Sequence, residues 1–122
     1  MHEASMAMAI LRIVKEEAAR CKETQISAVH LKVGVFAAVE PYALRAAFEV
    51  FAEGSVAEKA VLAVERVPAK AYCRECGRTF ELTRAGMRCP SCSGLKLEVS
   101  GGRECLISGI EAVHKPDGRE QQ

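Results

Sequence analysis

The chain has 122 residues, enough for about one domain with a small appended module. Its 17 Lys and Arg against 16 Asp and Glu leave a net charge of +1, which does not indicate a nucleic-acid or membrane partner. Apolar residues form 49% of the chain, but there is no Trp and there are only four Phe and two Tyr, so we expect a small core.

The chain start, Met1-His2-Glu3, lacks the basic and apolar regions of a secretory signal, and no apolar stretch is long enough to span a membrane. We therefore expect a cytoplasmic protein. Disulfides belong to oxidising compartments, so metal binding is the better explanation for paired cysteines among the six in the chain.

A first helix is predicted from Ser5 to about residue 20, because apolar residues recur there every three to four positions. Ser5 is the predicted N-cap. The predicted buried stripe comprises Met6, Ala9, Ile10, Ile13, Val14, Ala18 and Cys21. Cys21, at its end, is interpreted as a small buried hydrophobe.

A strand is predicted next, because apolar and polar positions alternate with the period of two that marks one buried face. The apolar positions are Val29, Leu31, Val33 and Val35. His30 falls on the polar face and is interpreted as an ordinary surface residue.

A second helix is predicted from Pro41, which suits a first helical turn, with Glu40 placed to cap it and Gly54 to end it. Its apolar face comprises Leu44, Ala47, Phe48 and Phe51. A second strand is predicted over residues 60–67, where Pro68 stops it.

Residues 70–100 differ in character, since cysteines and glycines replace the helical periodicity, and they are predicted to form a separate module. Residues 105–113 are again apolar and strand-like and have no partner inside that module. We therefore expect them to rejoin the earlier sheet. Cys105 in this strand is interpreted as a small buried hydrophobe.

The four cysteines of the module form two Cys-x-x-Cys pairs, Cys73 with Cys76 and Cys89 with Cys92, with twelve residues between the pairs. Each pair can bring two sulfurs to one ion, and four thiolates complete the tetrahedral shell of zinc with no position open to water. We therefore predict a structural zinc site. The few apolar residues between the pairs cannot form a core alone, so the module should unfold without metal.

Two other uses of the cysteines stay open, namely iron in a rubredoxin-like site and a dithiol redox pair, although neither pair follows a strand and opens a helix. Residues 70–98 carry six basic and three acidic side chains, and zinc with four thiolates subtracts two charges. Only Tyr72 and Phe80 are available to stack on bases, so no nucleic-acid partner is expected.

These elements predict an α+β fold, with a small sheet and two helices carrying an inserted zinc-ribbon module. The predicted domains are residues 1–68 with 103–113, and residues 70–100. Residues 114–122 are polar and are predicted to be a disordered tail.

The N-terminus places nitrogen donors in covalent sequence: the Met1 amine, the His2 backbone nitrogen and the His2 imidazole. The backbone nitrogen of Glu3 is a further candidate donor. Nitrogen ligands in a plane favour Ni²⁺ or Cu²⁺ over zinc. The alternative is that His2 is a solvated residue on a frayed chain end.

Together these features resemble the HypA/HybF family of hydrogenase-maturation nickel metallochaperones over roughly residues 1–113. The likeness rests on the order and spacing of several short elements. They are Met1-His2-Glu3, Ser5, Val33-Gly34, Val39-Glu40-Pro41, Leu44, Phe48-Glu49, Gly54-Ser55, Glu58-Lys59-Ala60, Pro68, the four cysteines with Pro90, and the stretch from Gly102-Arg103-Glu104 to Ile110-Glu111.

The resemblance implies a nickel domain with an inserted zinc ribbon. It also implies delivery of nickel to the [NiFe]-hydrogenase large subunit, together with a nickel-insertion GTPase. His2 would be the central nickel ligand, with Met1 and Glu3 contributing amine or backbone nitrogens, and the four cysteines would bind zinc. Urease maturation is a second destination that the resemblance leaves open.

Two features of the chain differ from the family pattern. Some members have additional histidines in or beside the zinc module, whereas residues 70–105 contain none, so no nickel ligand is expected there. The second feature is the tail of residues 115–122, which is not part of the family pattern. His114, beside this tail, is either an incidental histidine or an accessory ligand. No Ser-His-Asp set, phosphate-binding glycine loop or catalytic carboxylate pair can be assembled, so we expect no enzyme. The alternatives are a zinc-ribbon adaptor without a second metal and an iron redox carrier.

Overall fold

The computed structural model describes residues 2–113 of the chain, so Met1, His114 and the predicted tail lie outside the described residues. Two helices and six strands occur in this part. In chain order they are α1 (Glu3–Arg20), β1 (Ile26–Gly34), α2 (Pro41–Ala52), β2 (Val61–Val67), β3 (Ala69–Cys73), β4 (Thr79–Leu82), β5 (Leu97–Ser100) and β6 (Cys105–Ala112). Neither helix within residues 2–113 is long and apolar enough to cross a membrane.

The strands form two three-stranded sheets, ordered β2-β1-β6 and β4-β3-β5. Strand β6 runs antiparallel to β1, because the Gly34 N–H donates to the Glu104 carbonyl near one end and the Val113 N–H donates to the Gln25 carbonyl near the other. The prediction that the last strand rejoins the first sheet is confirmed. The α+β fold class is confirmed as well.

The β4-β3-β5 sheet was not predicted strand by strand. Strand β3 follows Pro68 at once and is antiparallel to both neighbours, with Ala71 opposite Phe80 on β4 and Val99 on β5. Ala69, Ala71 and Cys73 are buried along one face of β3. Such short runs of small residues give a weak strand signal, because strand propensity depends on large side chains packing across the sheet.

The described residues divide into two compact units. The helical unit comprises residues 2–30, 39–63 and 107–113 and contains both helices. The cysteine unit comprises residues 31–38 and 64–106 and contains the β4-β3-β5 sheet and the paired cysteines. The domain boundaries given above stay a prediction.

Helix α1 begins two residues before the predicted N-cap. His2 is the N-cap residue, and its carbonyl accepts a hydrogen bond from the Met6 N–H at 3.1 Å, so Ser5 lies inside the helix. The buried face of α1 comprises Ala7, Ile10, Leu11, Val14 and Ala18. The predicted stripe was therefore wrong at Ile13, which is 43% exposed, and at Ala9, which is also exposed. Apolar residues occur around most of this helix, so the spacing alone did not select one face.

Helix α2 begins at Pro41, as predicted, and the Glu40 carboxylate caps it by accepting a hydrogen bond from the Ala43 N–H at 3.1 Å. Leu44, Phe48 and Ala52 are its buried residues. The prediction was wrong for Phe51, which is 38% exposed. Gly54 follows the C-cap residue Glu53 and has φ of 76°, as expected of a glycine that ends a helix.

Cys21, Cys105 and His30 differ in burial from what the sequence predicted. Cys21 and Cys105 are both exposed, because Cys21 follows the last turn of α1 and Cys105 starts a strand at the edge of its sheet. His30 is half-buried, and its Nε2 lies 2.6 Å from Glu111 Oε2. The His30 side chain therefore links β1 to β6.

Helix α1 ends at a left-handed residue, Lys22, with φ of 59°. The Lys22 N–H donates to the Ala19 carbonyl and the Glu23 N–H donates to the Ala18 carbonyl, which is a Schellman cap. Because a side chain is disfavoured in this conformation, Lys22→Gly should raise the free energy of unfolding by about 0.5–1 kcal/mol. Urea denaturation followed by circular dichroism measures the change.

The matched control for this substitution is Lys15→Gly, at an exposed position in the interior of the same helix. Glycine in a helix interior should lower the free energy of unfolding by about 1 kcal/mol. If both substitutions lowered the free energy of unfolding equally, the left-handed conformation of Lys22 would not be a source of strain.

Candidate metal centre

The first cysteine pair lies in a tight turn between β3 and β4. The Cys73 N–H donates to the Arg78 carbonyl, and the Gly77 N–H donates to the Cys73 carbonyl, both at 2.8 Å. Gly77 has φ of 79°, a left-handed conformation that glycine adopts without strain. The turn therefore directs Cys73 and Cys76 toward the same point.

The second cysteine pair repeats this turn position by position. The Cys89 N–H donates to the Gly94 carbonyl at 3.1 Å, and the Ser93 N–H donates to the Cys89 carbonyl at 2.8 Å. Ser93 takes the place of the glycine and has φ of 62°. The repeated Cys-x-x-Cys spacing thus produces two equivalent loops that face each other.

The four sulfurs of these loops converge. All four Sγ atoms lie within 4.8 Å of one another, with separations of 3.6 Å between Cys73 and Cys92 and 3.5 Å between Cys76 and Cys89. A tetrahedron with metal–sulfur distances of about 2.3 Å has edges of about 3.8 Å. A disulfide would need about 2.05 Å. The donor set and its spacing therefore fit one tetrahedral, thiolate-bound ion such as zinc.

The crowding of the four thiols separates their pKa values. Burial raises the pKa of Cys89, but hydrogen bonds from the backbone N–H groups of Cys92 and Ser91 and from neighbouring thiols lower it to about 7. The Gly94 N–H lowers the pKa of Cys92, but the other three thiols and burial raise it to about 12. Four thiolates at this spacing need a cation among them, because like charges so close disfavour ionisation.

Two arginines stiffen the loops around the sulfurs. Arg78 Nη1 donates to Ser91 Oγ at 2.8 Å, which connects the first loop to the second. Arg88 Nη1 donates to the Ser93 carbonyl at 3.2 Å. Both guanidinium groups also bring positive charge to a centre that would carry two negative charges with zinc bound.

Of the other predicted metal ligands, His2 and Glu3 lie in the helical unit, and Met1 lies outside the described residues. His2 is exposed at the start of α1. The Glu3 carboxylate accepts a hydrogen bond from the Glu40 backbone N–H at 2.9 Å, and this hydrogen bond lowers the pKa of Glu3. Since Glu40 is the N-cap of α2, the starts of the two helices are joined. Sequence reasoning missed this contact, although it had identified both residues separately.

Comparison with protein families gives one match that covers nearly the whole chain. The family model described as HypA, hydrogenase/urease nickel incorporation, metallochaperone, matches residues 1–112. A hydrogenase maturation factor HypA from Aeromonas hydrophila is 39% identical over 111 residues, which cover 91% of this chain and 98% of that protein. The hydrogenase maturation factor HypA from Aquifex aeolicus is 33% identical over 111 residues, which cover 91% of this chain and 96% of that protein.

A solved structure with a similar fold is the solution structure of the Ni metallochaperone HypA from Helicobacter pylori. The match has a TM-score of 0.64 and covers 94% of this chain and 100% of that chain. The sequence identity is 23%, so this comparison bears on the fold alone.

Proposed function

Because the chain belongs to the HypA family of hydrogenase and urease nickel-incorporation metallochaperones, we propose that it binds Ni²⁺ at its N-terminus and delivers it for [NiFe]-hydrogenase maturation. The observation that carries this proposal is the family match from residue 1 onward, which includes His2. The chain would act as a carrier and not as an enzyme. Its partners would be the nickel-insertion GTPase of the pathway and the hydrogenase large subunit.

The proposed nickel ligands are the His2 imidazole and the backbone nitrogens of His2 and Glu3, with the Met1 amine. A backbone nitrogen binds Ni²⁺ after losing its proton. The first N–H groups of a helix have no partner in the helical hydrogen-bond ladder, so deprotonation of the Glu3 nitrogen, at the first residue of α1, breaks no helical hydrogen bond. The Glu3 carboxylate already accepts the Glu40 N–H, and this contact supports Glu3 contributing its backbone nitrogen. Planar nitrogen ligands suit Ni²⁺.

The four clustered cysteines are proposed to hold a structural zinc ion, distinct from the nickel cargo. Zinc bound by four thiolates has no open position, so it would stabilise the cysteine unit without reacting. Thiols kept for metal binding fit a reducing compartment such as the cytoplasm. The alternative of a zinc-ribbon adaptor shares this site and differs by having no nickel.

The test is isothermal titration of the zinc-loaded protein with Ni²⁺. His2→Ala should weaken nickel binding by on the order of 100-fold. Mutation of residues that only hydrogen-bond to a metal ligand already lowers metal affinity by about 10–100-fold, so loss of a ligand itself should cost at least as much. His30→Ala is the matched control, since it removes another imidazole of the helical unit, and it should leave the affinity unchanged. Unchanged nickel uptake by His2→Ala would favour the adaptor.

An uncleaved extension before Met1 provides a second variant for the same titration. It leaves every side chain in place but converts the amine into an amide. Nickel binding should weaken as it does in His2→Ala if the amine is a ligand. Full affinity in the extended protein would remove Met1 from the proposed ligand set.

A further inference from the structure

A positively charged cleft in the cysteine unit takes no part in either proposed metal site. It has a volume of about 420 Å³ and lies between the end of β2 and the turn that follows β4. Arg66, Thr83 and Arg84 line it together with the apolar side chains of Val35, Val67 and Pro68. No carboxylate is among the described residues that line it.

The two arginines of the cleft differ in their hydrogen bonding. Arg66 Nη1 donates to the Gly34 carbonyl at 3.3 Å, which leaves the other N–H groups of that guanidinium available. Among residues 2–113, the Arg84 side chain has no hydrogen-bond or ion-pair partner. Two neighbouring cations without an opposing charge favour the binding of an anion.

The charge of the whole unit has the same sign. The cysteine unit carries nine basic and five acidic side chains, a net charge of +4 that becomes +2 when zinc and four thiolates are counted. The described helical unit carries six basic and nine acidic side chains, a net charge of −3. Three arginines of the cysteine unit already have hydrogen-bond partners. Arg74 contacts Glu98, while Arg78 and Arg88 donate to the cysteine loops. Such an asymmetry steers an acidic partner toward the cysteine unit.

We propose that this cleft docks an acidic segment of a partner protein. Arg66 and Arg84 bind a carboxylate of that segment, because a guanidinium offers paired N–H donors that match the two carboxylate oxygens. Thr83 lies at the same wall, where its hydroxyl donates to Met87 Sδ at 3.7 Å. An apolar residue next to the carboxylate packs on Val67 and Pro68. The docking does not depend on bound nickel, so it goes beyond the proposed cargo function.

The chemistry of the cleft favours an acidic peptide over nucleic acid. Binding of single-stranded nucleic acid relies on aromatic side chains that stack on bases, and none lines the cleft among the described residues. The apolar half of the lining instead matches an aliphatic side chain. A peptide in which Asp and Leu alternate therefore serves as the probe.

The test is fluorescence polarisation of zinc-loaded protein with the dye-labelled peptide Asp-Leu-Asp-Leu-Asp-Leu. Arg84→Gln should weaken binding by about tenfold, since it removes a charge-assisted hydrogen bond. Arg66→Gln should act in the same direction. Lys96→Gln is the matched control, because it removes one positive charge from the same unit outside the cleft, and it should change binding by less than about twofold.

Four results would overturn the proposal. They are equal weakening by Lys96→Gln and Arg84→Gln, equal binding of the uncharged peptide Asn-Leu-Asn-Leu-Asn-Leu, tighter binding of a single-stranded oligonucleotide, and displacement of the acidic peptide by low-millimolar inorganic phosphate. If Arg66→Gln disturbs folding, Arg84→Gln still tests the proposal, because the Arg84 side chain makes no hydrogen bond or ion pair with any described residue that its loss could break.

Discussion

The substitution Cys89→Ser is expected to unfold the β4-β3-β5 sheet and to release the proposed zinc ion from the protein. Cys89 is buried, and its sulfur lies 3.5 Å from that of Cys76 within the four-sulfur cluster. A structural zinc ion contributes about 10–16 kcal/mol of folding free energy, so losing one ligand should cost on the order of 5 kcal/mol or more. Zinc content, together with amide dispersion in NMR spectra, measures the effect.

The apolar cluster around β3 is too small to replace that contribution. Its buried members are Ala69, Ala71 and Leu82, with only partly buried side chains packed against them. Small cores of this kind usually need a metal or disulfide to be stable. Removing zinc with a strong chelator should therefore have the same effect as Cys89→Ser.

The matched control for Cys89→Ser is Cys105→Ser, at an exposed cysteine outside the cluster. It should change stability by no more than about 0.5 kcal/mol and leave zinc content unchanged. A Cys89→Ser protein that keeps its zinc and its β-sheet signals would contradict the structural role of the cluster. A red protein containing iron in place of zinc would instead support the rubredoxin-like alternative.

The second large effect is expected for Gly34→Ala, at the end of β1. A Cβ atom at Gly34 would lie 2.2 Å from both the carbonyl carbon and the oxygen of Gly102, and these are backbone atoms that cannot rotate away. The Gly102 oxygen also accepts the Phe36 N–H at 2.6 Å, so moving this segment breaks a hydrogen bond. The free energy of unfolding should fall by about 3 kcal/mol or more.

Gly101→Ala is the control for this close approach. Gly101 has φ of 74°, but a Cβ atom there meets nothing within 4 Å, so only the backbone conformation is disfavoured. That penalty is roughly 1–2 kcal/mol. Urea denaturation of both variants measures the difference. A loss at Gly34 no larger than the loss at Gly101 would show that the backbone contact does not matter.

The cysteine cluster was the part of the site most accessible from sequence. A Cys-x-x-Cys spacing allows few arrangements other than a tight turn around a shared ion, so the convergence of four sulfurs followed from the spacing alone. The contact between Glu3 and Glu40 could not be predicted in this way. The two residues are 37 positions apart, and only the packing of α1 beside α2 brings them together.

The main errors concerned which face of a helix is buried. Helix α1 carries apolar residues around most of its circumference, and its neighbours selected the face with Leu11 over the one with Ile13. Amphipathic spacing predicts that a helix forms more reliably than it predicts its orientation. The exposure of Cys21 and Cys105 has the same origin, because residue type alone does not say whether a neighbouring element covers a side chain.

The two helices, the return of the last strand to the first sheet and the ligand pattern of the cysteine module could all be predicted from the sequence. These depend on local periodicity and on spacings of a few residues. Only the packing of the folded chain produces the hydrogen bond between Glu3 and Glu40, the close approach of Gly34 to Gly102 and the presence of Arg66 and Arg84 in the lining of one cleft. Each of these joins residues that are distant in the chain, and their meeting depends on how whole elements pack.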